Sequence, residues 1–207
     1  VEFKRGEDDW KELVEDTDLQ KDDKIRTKDD SRAAVTFGDK SIVRLNAATT
    51  ITIQQLGNER IVVTNEAGQI YARVAQSNDR TFAIDINDHL FTARGTAYKT
   101  FNTGDTTGVE VYHNSVKVDE TEVNEGELYY LDNPDAAKKD KVLPIDIEQL
   151  KNDEFIAWCI GQDKDDETYK DELGYLGDFD GPELTIVAPK DGEVITVAEG
   201  SNIGAVN

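Results

Sequence analysis

Residues 60–75 read RIVVTNEAGQIYARVA. Two runs, RIVVT (60–64) and QIYARVA (69–75), are β-branched and roughly alternating, the pattern of half-buried strands. Between them, Asn65 to Gly68 supplies residues that accept positive φ, so the reading is strand, turn, strand. The same grammar extends both ways. Upstream lie AAVTF (33–37), SIVRL (41–45) and TITIQ (50–54); downstream lie TFAIDI (81–86), GVEVY (108–112), SVKVD (115–119) and ELYYL (127–131). Gly38-Asp39, Asn46, Gly57-Asn58 and Ser77-Asn78-Asp79 separate them. Evenly spaced short strands predict a mainly β fold, a compact sandwich or solenoid-like module. The His113-Asn114 pair fits a two-residue hairpin loop, because Asn tolerates the positive φ of such turns.

The stretch FTARGTAYKT (91–100) reads as one strand with a glycine in its middle. Phe91, Ala93, Gly95 and Ala97 then form an inward stripe of mostly small residues, and Thr92, Arg94, Thr96 and Tyr98 face the other way. A glycine inside a strand costs backbone entropy and packs nothing, so close approach of a neighbouring segment is the expected reason for it.

Composition narrows the function. The 207 residues hold 44 acidic and 23 basic side chains, a formal net charge of −21. Such a chain lacks the clustered Lys and Arg that displace counterions from a phosphate backbone, and an anionic bilayer would repel it. Nucleic acid is therefore excluded as a partner. Cys159 is the single cysteine, which rules out an intramolecular disulfide and a Cys/His zinc set. No apolar run reaches the length of a membrane span, so this segment does not insert directly. Val1 opens a chain without methionine or a signal-peptide pattern, which reads as an excised piece whose targeting segment would lie upstream of Val1.

Beyond Asn133-Pro134 the texture changes. DAAKKDK (135–141) reads as linker, and Pro144 opens a helical pattern. Ile147, Leu150, Glu154, Phe155 and Trp158 fall at helical spacing, with Gly161 as the expected terminator. Asp163 to Glu172 reads as a solvated acidic stretch. PELTIVAPKDGEVITV (182–197) reads as two strands about an Asp191-Gly192 turn. The expected division is a β domain at 1–133, a helical and acidic linker at 134–181 packed on or after it, and the start of another domain at 182–207.

The ordered set DLQKDDKIRTKDDSRAAVTFGDKSIVRL (18–45), GQIYARV (68–74), FTARGTAYKTF (91–101), GVEVYHNSVKV (108–118) and NEGELYYL (124–131) resembles the FecR-domain family. The residues carrying the signature are Arg26, Thr27, Ser31, Arg32, Ala33, Gly68, Arg94, Gly95 and Thr96. Lys28, Lys40 and Asn114 stand where that family usually has turn glycines, which predicts relaxed turns at the two lysines. The 182–197 stretch resembles the start of a bacterial immunoglobulin-like domain. The resemblance implies a non-enzymatic, extracytoplasmic module at a bacterial cell surface or in the periplasm. Its parent would be anchored in membrane or wall. Its partner would be a protein or an envelope polysaccharide. Its role would be interaction or scaffolding, sigma-factor signalling, or adhesion through carbohydrate.

The remaining chemistry is sparse. His89, His113 and Cys159 are the candidate general base and nucleophile groups, but His113 reads as a loop-tip residue and Cys159 as packing beside Trp158. No catalytic residue is assigned. Asp163, Asp165 and Glu167, with Asp178 and Asp180, alternate as calcium ligands can, yet an EF-hand counted from Asp163 would place Thr168 and Gly174 at its sixth and twelfth positions. No cofactor is expected, a structural calcium ion being the single option these acids leave. Arg94, Tyr98 and Trp158 form the candidate interaction surface, with Trp158 also placed to anchor its helix on the β module.

Overall fold

The structure, a computed structural model, describes residues 1–14 and 17–177. Strands β1 (Glu2–Arg5), β2 (Lys11–Glu12) and β3 (Asp23–Arg26) open the chain. A hairpin of β4 (Ala33–Thr36) and β5 (Ile42–Leu45) precedes β6 (Thr50–Leu56) and the 14-residue β7 (Arg60–Arg73). Next come β8 (Thr81–Ile86) with β9 (His89–Ala93), and β10 (Ala97–Asn102) with β11 (Thr107–His113). The last strands are β12 (Ser115–Val118), β13 (Thr121–Asn124), β14 (Glu127–Asp132) and β15 (Lys141–Pro144). Helices α1 (Ile147–Lys151) and α2 (Glu154–Asp165) and a 3-10 turn at Gly174–Leu176 follow. The 182–197 stretch lies outside the described residues.

The strands make two sheets that share one strand. The first sheet runs β2-β1-β3-β6-β7-β8-β9-β12-β13, and the second runs β4-β5-β7-β10-β11-β14-β15. Every pairing is antiparallel except β7 with β8. The amino-terminal half of β7 pairs with β6 and β8; the half from Gly68 onward pairs with β10 and β5. Asn65 to Gly68 is therefore a bend inside a continuous strand rather than the expected turn. Opposite it, Thr50 pairs with Ala67 and Ile51 with Asn65, which leaves Glu66 as the extra residue of a bulge. Gly68 turns the strand at φ +93, where a Cβ would stand 2.7 Å from the Thr49 backbone Cα. Side chains satisfy the backbone at this corner. Asn102 donates to the carbonyls of Asn65 and Glu66, and the Thr49 hydroxyl both donates to the Gln69 carbonyl and accepts from its N–H.

Alternate residues of both sheets fill the space between them. Ile25, Val43, Leu45, Ile53, Val63, Ile84, Phe91, Val109 and Val116 are all fully buried there. The fold is a mainly β sandwich. A second apolar cluster lies on the outer face of the second sheet, where Tyr71, Ala97 and Tyr112 meet Leu150, Phe155, Ile156, Cys159 and Ile160 of the helices. That sheet is buried on both faces, which explains why all six residues of β10 are buried.

The helical region departs from the expected pattern. Pro144 ends edge strand β15 instead of opening a helix, a place where a residue without an N–H is tolerated. One helix becomes two because Asp146 and Asp153 each cap an amino terminus, their Oδ1 atoms accepting from the next turn's backbone N–H groups. Gly161 remains inside α2, which runs on to Asp165.

The chain also changes sheets where the sequence suggested regular strand or hairpin. FTARGTAYKTF is two strands: β9 lies in the first sheet and β10 in the second, with Gly95 between them at φ +57. The expected Phe91–Ala97 stripe is broken there. Phe91 and Ala93 face the interior, and beyond Gly95 it is Tyr98 that does so, while Ala97 joins the outer cluster. Asn114 at φ +57 is the return crossing from β11 to β12, not a hairpin tip. Its side-chain amide donates to the Gly95 carbonyl, so the two crossings are tied together. Lys40 takes φ +73 in a tight β4–β5 turn instead of relaxing it.

Gly95 is thus required by its left-handed conformation, since the nearest group to a Cβ there is the movable end of Gln76. Gly95→Ala should destabilise by about 1–2 kcal/mol, and Gly95→Asn by less because Asn tolerates left-handed φ. Urea unfolding of the two variants checks this; a costlier Asn than Ala would mean that crowding, not conformation, selects the glycine.

Candidate functional site

One rung of directly opposed residues crosses four strands on the outer face of the second sheet. Arg44 of β5 pairs with Tyr71 of β7, Tyr71 with Lys99 of β10, and Lys99 with Glu110 of β11. Alternation alone would send these side chains to solvent. Helix α2 covers them instead, with an acid at each of its ends. At the amino end, Asp153 uses Oδ1 to cap the helix and Oδ2 to accept from Lys99 Nζ at 2.8 Å. Glu110 holds the same ammonium at 3.1 Å and accepts from the Tyr112 hydroxyl at 2.6 Å. At the carboxyl end, fully buried Asp163 accepts from Arg44 Nη1 at 2.6 Å and from the Tyr71 hydroxyl at 2.5 Å. Arg73 Nε lies 3.6 Å from the same carboxylate. The Arg73 guanidinium donates to the carbonyls of Tyr169 and Glu172 and rests on the Tyr169 ring at 4.7 Å.

These contacts correct the reading of residues 163–172 as a solvated acidic stretch at Asp163 and Tyr169, the rest of it being mostly exposed. Asp163 is fully buried and Tyr169 nearly so, because two arginines on the sheet need an anion and an acceptor from the covering layer. Burial opposes the Lys99 ammonium, but the attraction of Glu110 and Asp153 outweighs it and raises its pKa above the ordinary value. Burial also raises the Tyr71 hydroxyl, with Asp163 adding to it. The Cys159 thiol is driven well up by burial, so it stays protonated and unreactive in the closed layer. His89 pairs with Asp119 at 2.7 Å and His113 lies 3.4 Å from Glu125. No hydrogen bond or ion pair among the described residues joins either histidine to Cys159. No group of three or more His, Cys, Asp and Glu side chains among the described residues is placed to hold a metal.

The three candidate surface residues do not come together. Arg94 is exposed at the β9–β10 crossing, whereas Tyr98 is fully buried between the sheets. Tyr98 points inward because the crossing at Gly95 reverses the strand's facing. Trp158 is half-buried on α2, stacked on Phe155 at 6.1 Å, and the Arg32 guanidinium lies over its ring at 5.5 Å. Arg32 immediately precedes β4, which pairs only with β5 among the described strands. This half-exposed tryptophan and arginine lie beside a strand edge left open among the described strands.

The signature residues have structural employment. Arg26 donates to Glu2 at 2.8 Å and stacks on Trp10 at 4.1 Å, holding β1 in place. Thr27 donates to the Asn46 carbonyl and accepts from Thr49 N–H, joining the corner at Gly68. The Ser31 hydroxyl accepts from the Lys28 N–H before β4, and Ala33 lies in the interior. Thr96 donates to the Ser115 carbonyl at 3.2 Å, bridging the two sheet crossings.

Residues 23–117 match the FecR protein family. They form a FecR domain. The domain begins at β3 and ends within β12, so it contributes to both sheets of the sandwich. Its fold is shared with two crystal structures, at 1.65 and 2.50 Å, of a candidate anti-sigma factor from Parabacteroides distasonis ATCC 8503. Each aligns over 67% of this chain with 17% identity and a TM-score of 0.53, a likeness of fold. The chain spans 65% and 64% of those two proteins, just under two thirds. No curated protein sequence matches it. Arg44, Tyr71, Arg73 and Lys99 all belong to the FecR domain, while Asp153 and Asp163 lie beyond it. The buried polar contacts therefore join the domain to the layer that follows.

No motif announces this network. The available signal was three cations at outward positions of central strands, answered by an acid at each end of an amphipathic helix. Asp163→Ala should destabilise by about 3–5 kcal/mol, because it leaves buried arginines without their anion. Thermal unfolding reads the loss, and Cys159 reports where it occurs. Its thiol should be inert in the wild type and react with a thiol reagent in the variant, marking release of α2. An unreactive thiol and unchanged stability would show that the arginines need no partner.

Proposed function

We propose that this chain is the extracytoplasmic part of a bacterial signalling regulator that acts by protein contact, without catalysis, to pass an envelope signal toward a sigma factor. The observation that carries the reading is the FecR domain at 23–117, set in a fold shared with a candidate anti-sigma factor. This favours the signalling role over the plain scaffold that a downstream repeat would suggest. No helix among the described residues is long and apolar enough to cross a membrane. The Trp158–Arg32 surface is the contact point for its protein partner, since half-exposed Trp and Arg are the side chains that dominate interface energetics.

The test is made in cells that encode the parent protein. Removing residues 1–177 from it should change transcription of one sigma-dependent regulon several-fold. Trp158→Ala should lower crosslinking to the protein partner by about tenfold with the fold retained. An unaltered transcriptome would reject the signalling role, and undiminished crosslinking would reject this surface.

A further inference from the structure

The outer face of the first sheet carries a cleft of about 570 Å³, within the roughly 300–1,000 Å³ range of small-molecule sites. Helices close the matching face of the second sheet; this one carries polar side chains. Gln54 and Gln55 of β6 would normally point to opposite faces, but a bulge between Ile53 and Gln55 gives both amides to the cleft. Arg60 of β7, Asp85 of β8 and Asp88 complete the polar lining, with Lys21 at the margin. Val62 and Leu90 supply apolar lining, and Leu56, 42% exposed, adds more.

Two groups in this cleft have unused hydrogen-bonding capacity. Asp85 is 8% exposed, and its buried Oδ1 accepts no hydrogen bond from the protein. Arg60 Nε, also buried, donates none. Unpartnered buried polar atoms are uncommon in folded proteins and call for a missing partner. Burial, reinforced by the nearby Asp88 charge, raises the Asp85 carboxyl, while the Asp88 backbone N–H and the Gln54 side chain oppose the rise. Strand register spaces the two groups. Arg60 stands opposite Thr81 and Thr64 opposite Asp85, so they are four residues apart along the sheet, roughly 13 Å between backbones.

The lining identifies the ligand class. Two carboxylates and two cations leave no net charge to select an ion of either sign. A free acceptor at one end and a free donor at the other suit a group that both gives and takes hydrogen bonds. Glutamine amides do the same along one side, and the apolar lining offers contact for a C–H face. We propose that this cleft binds a neutral oligosaccharide longer than one ring, its hydroxyls donating to Asp85 and accepting from Arg60 and the two glutamines. The site is distinct from the Trp158 surface and does not depend on a sigma-linked partner.

An array of neutral di- to tetrasaccharides, covering common hexose and N-acetylhexosamine linkages beside charged glycans, tests this on the full 207-residue chain. Wild type should bind at least one neutral glycan. Asp85→Asn, which preserves shape, and Gln55→Ala, on an exposed side chain, should each weaken that binding about tenfold or more. Their unfolding midpoints should match wild type or exceed it. Absence of neutral-glycan binding, a preference for charged glycans, or full binding by both variants would overturn the site. A negative array would leave the regulatory reading standing, because crosslinking to a protein partner is read separately.

Discussion

The architecture depends on one strand doing duty in two sheets. At Glu66 the bulge, and at Gly68 the positive φ, bend β7 so that its first half completes the first sheet and its second half the second. Joining two sheets through a continuous strand avoids the entropy of closing a separate loop and fixes their relative placement. It also concentrates backbone polar groups at a corner that the interior cannot solvate. Thr27, Thr49, Asn65 and Asn102 gather there, each spending its side chain on a carbonyl or N–H. Thr27 and Gly68 are, in physical terms, what makes and satisfies this corner.

From that bend follows the unequal fate of the two outer faces. The second sheet receives the chain's carboxyl-terminal helices and becomes a middle layer, buried on both sides. Four residues in register across it are polar, and covering them takes charges out of water at a cost of several kcal/mol per ion. The acids of α2 offset this only because they arrive at hydrogen-bonding distance. Apolar contacts of Phe155, Ile156, Cys159 and Ile160 supply the attraction between the layers. The ion pairs at the two ends of α2 set its position, since any slide along the sheet would strand a buried charge.

Sequence reading reached the β character because alternation is a local property, and most strand positions followed from it. Strands 60–64 and 69–75 were each legible, but their union was not. Asn and Gly mark a turn and a bulged bend with the same letters, and only pairing partners on both sides distinguish them. The same ambiguity applied at Gly95 and Asn114. Both promise positive φ, yet whether the chain folds back on itself or crosses to another sheet depends on contacts far away in sequence. Facing was lost with them: Tyr98 shifts from outward to interior when Gly95 ends one strand and begins another. Asp163 was misread for a related reason. In an acidic stretch every carboxylate looks solvated, and the one that is buried is identified by Arg44, 119 positions earlier.

The site residues follow the same division. Trp158 could be placed on an anchoring helix from its periodicity, and it does stack beside Phe155 while keeping part of its ring exposed. The cleft on the first sheet had no comparable trace, because Gln54-Gln55 in an alternating strand implies one amide up and one down. A bulge overrides that parity without leaving a glycine or proline to announce it. Two neighbouring amides then serve one face, and Asp85, opposite Leu90 in the adjoining hairpin, completes the lining from a different part of the chain. Bends and bulges in this fold thus do more than connect sheets. They decide which polar side chains meet, and so where chemistry is available on an otherwise regular β surface.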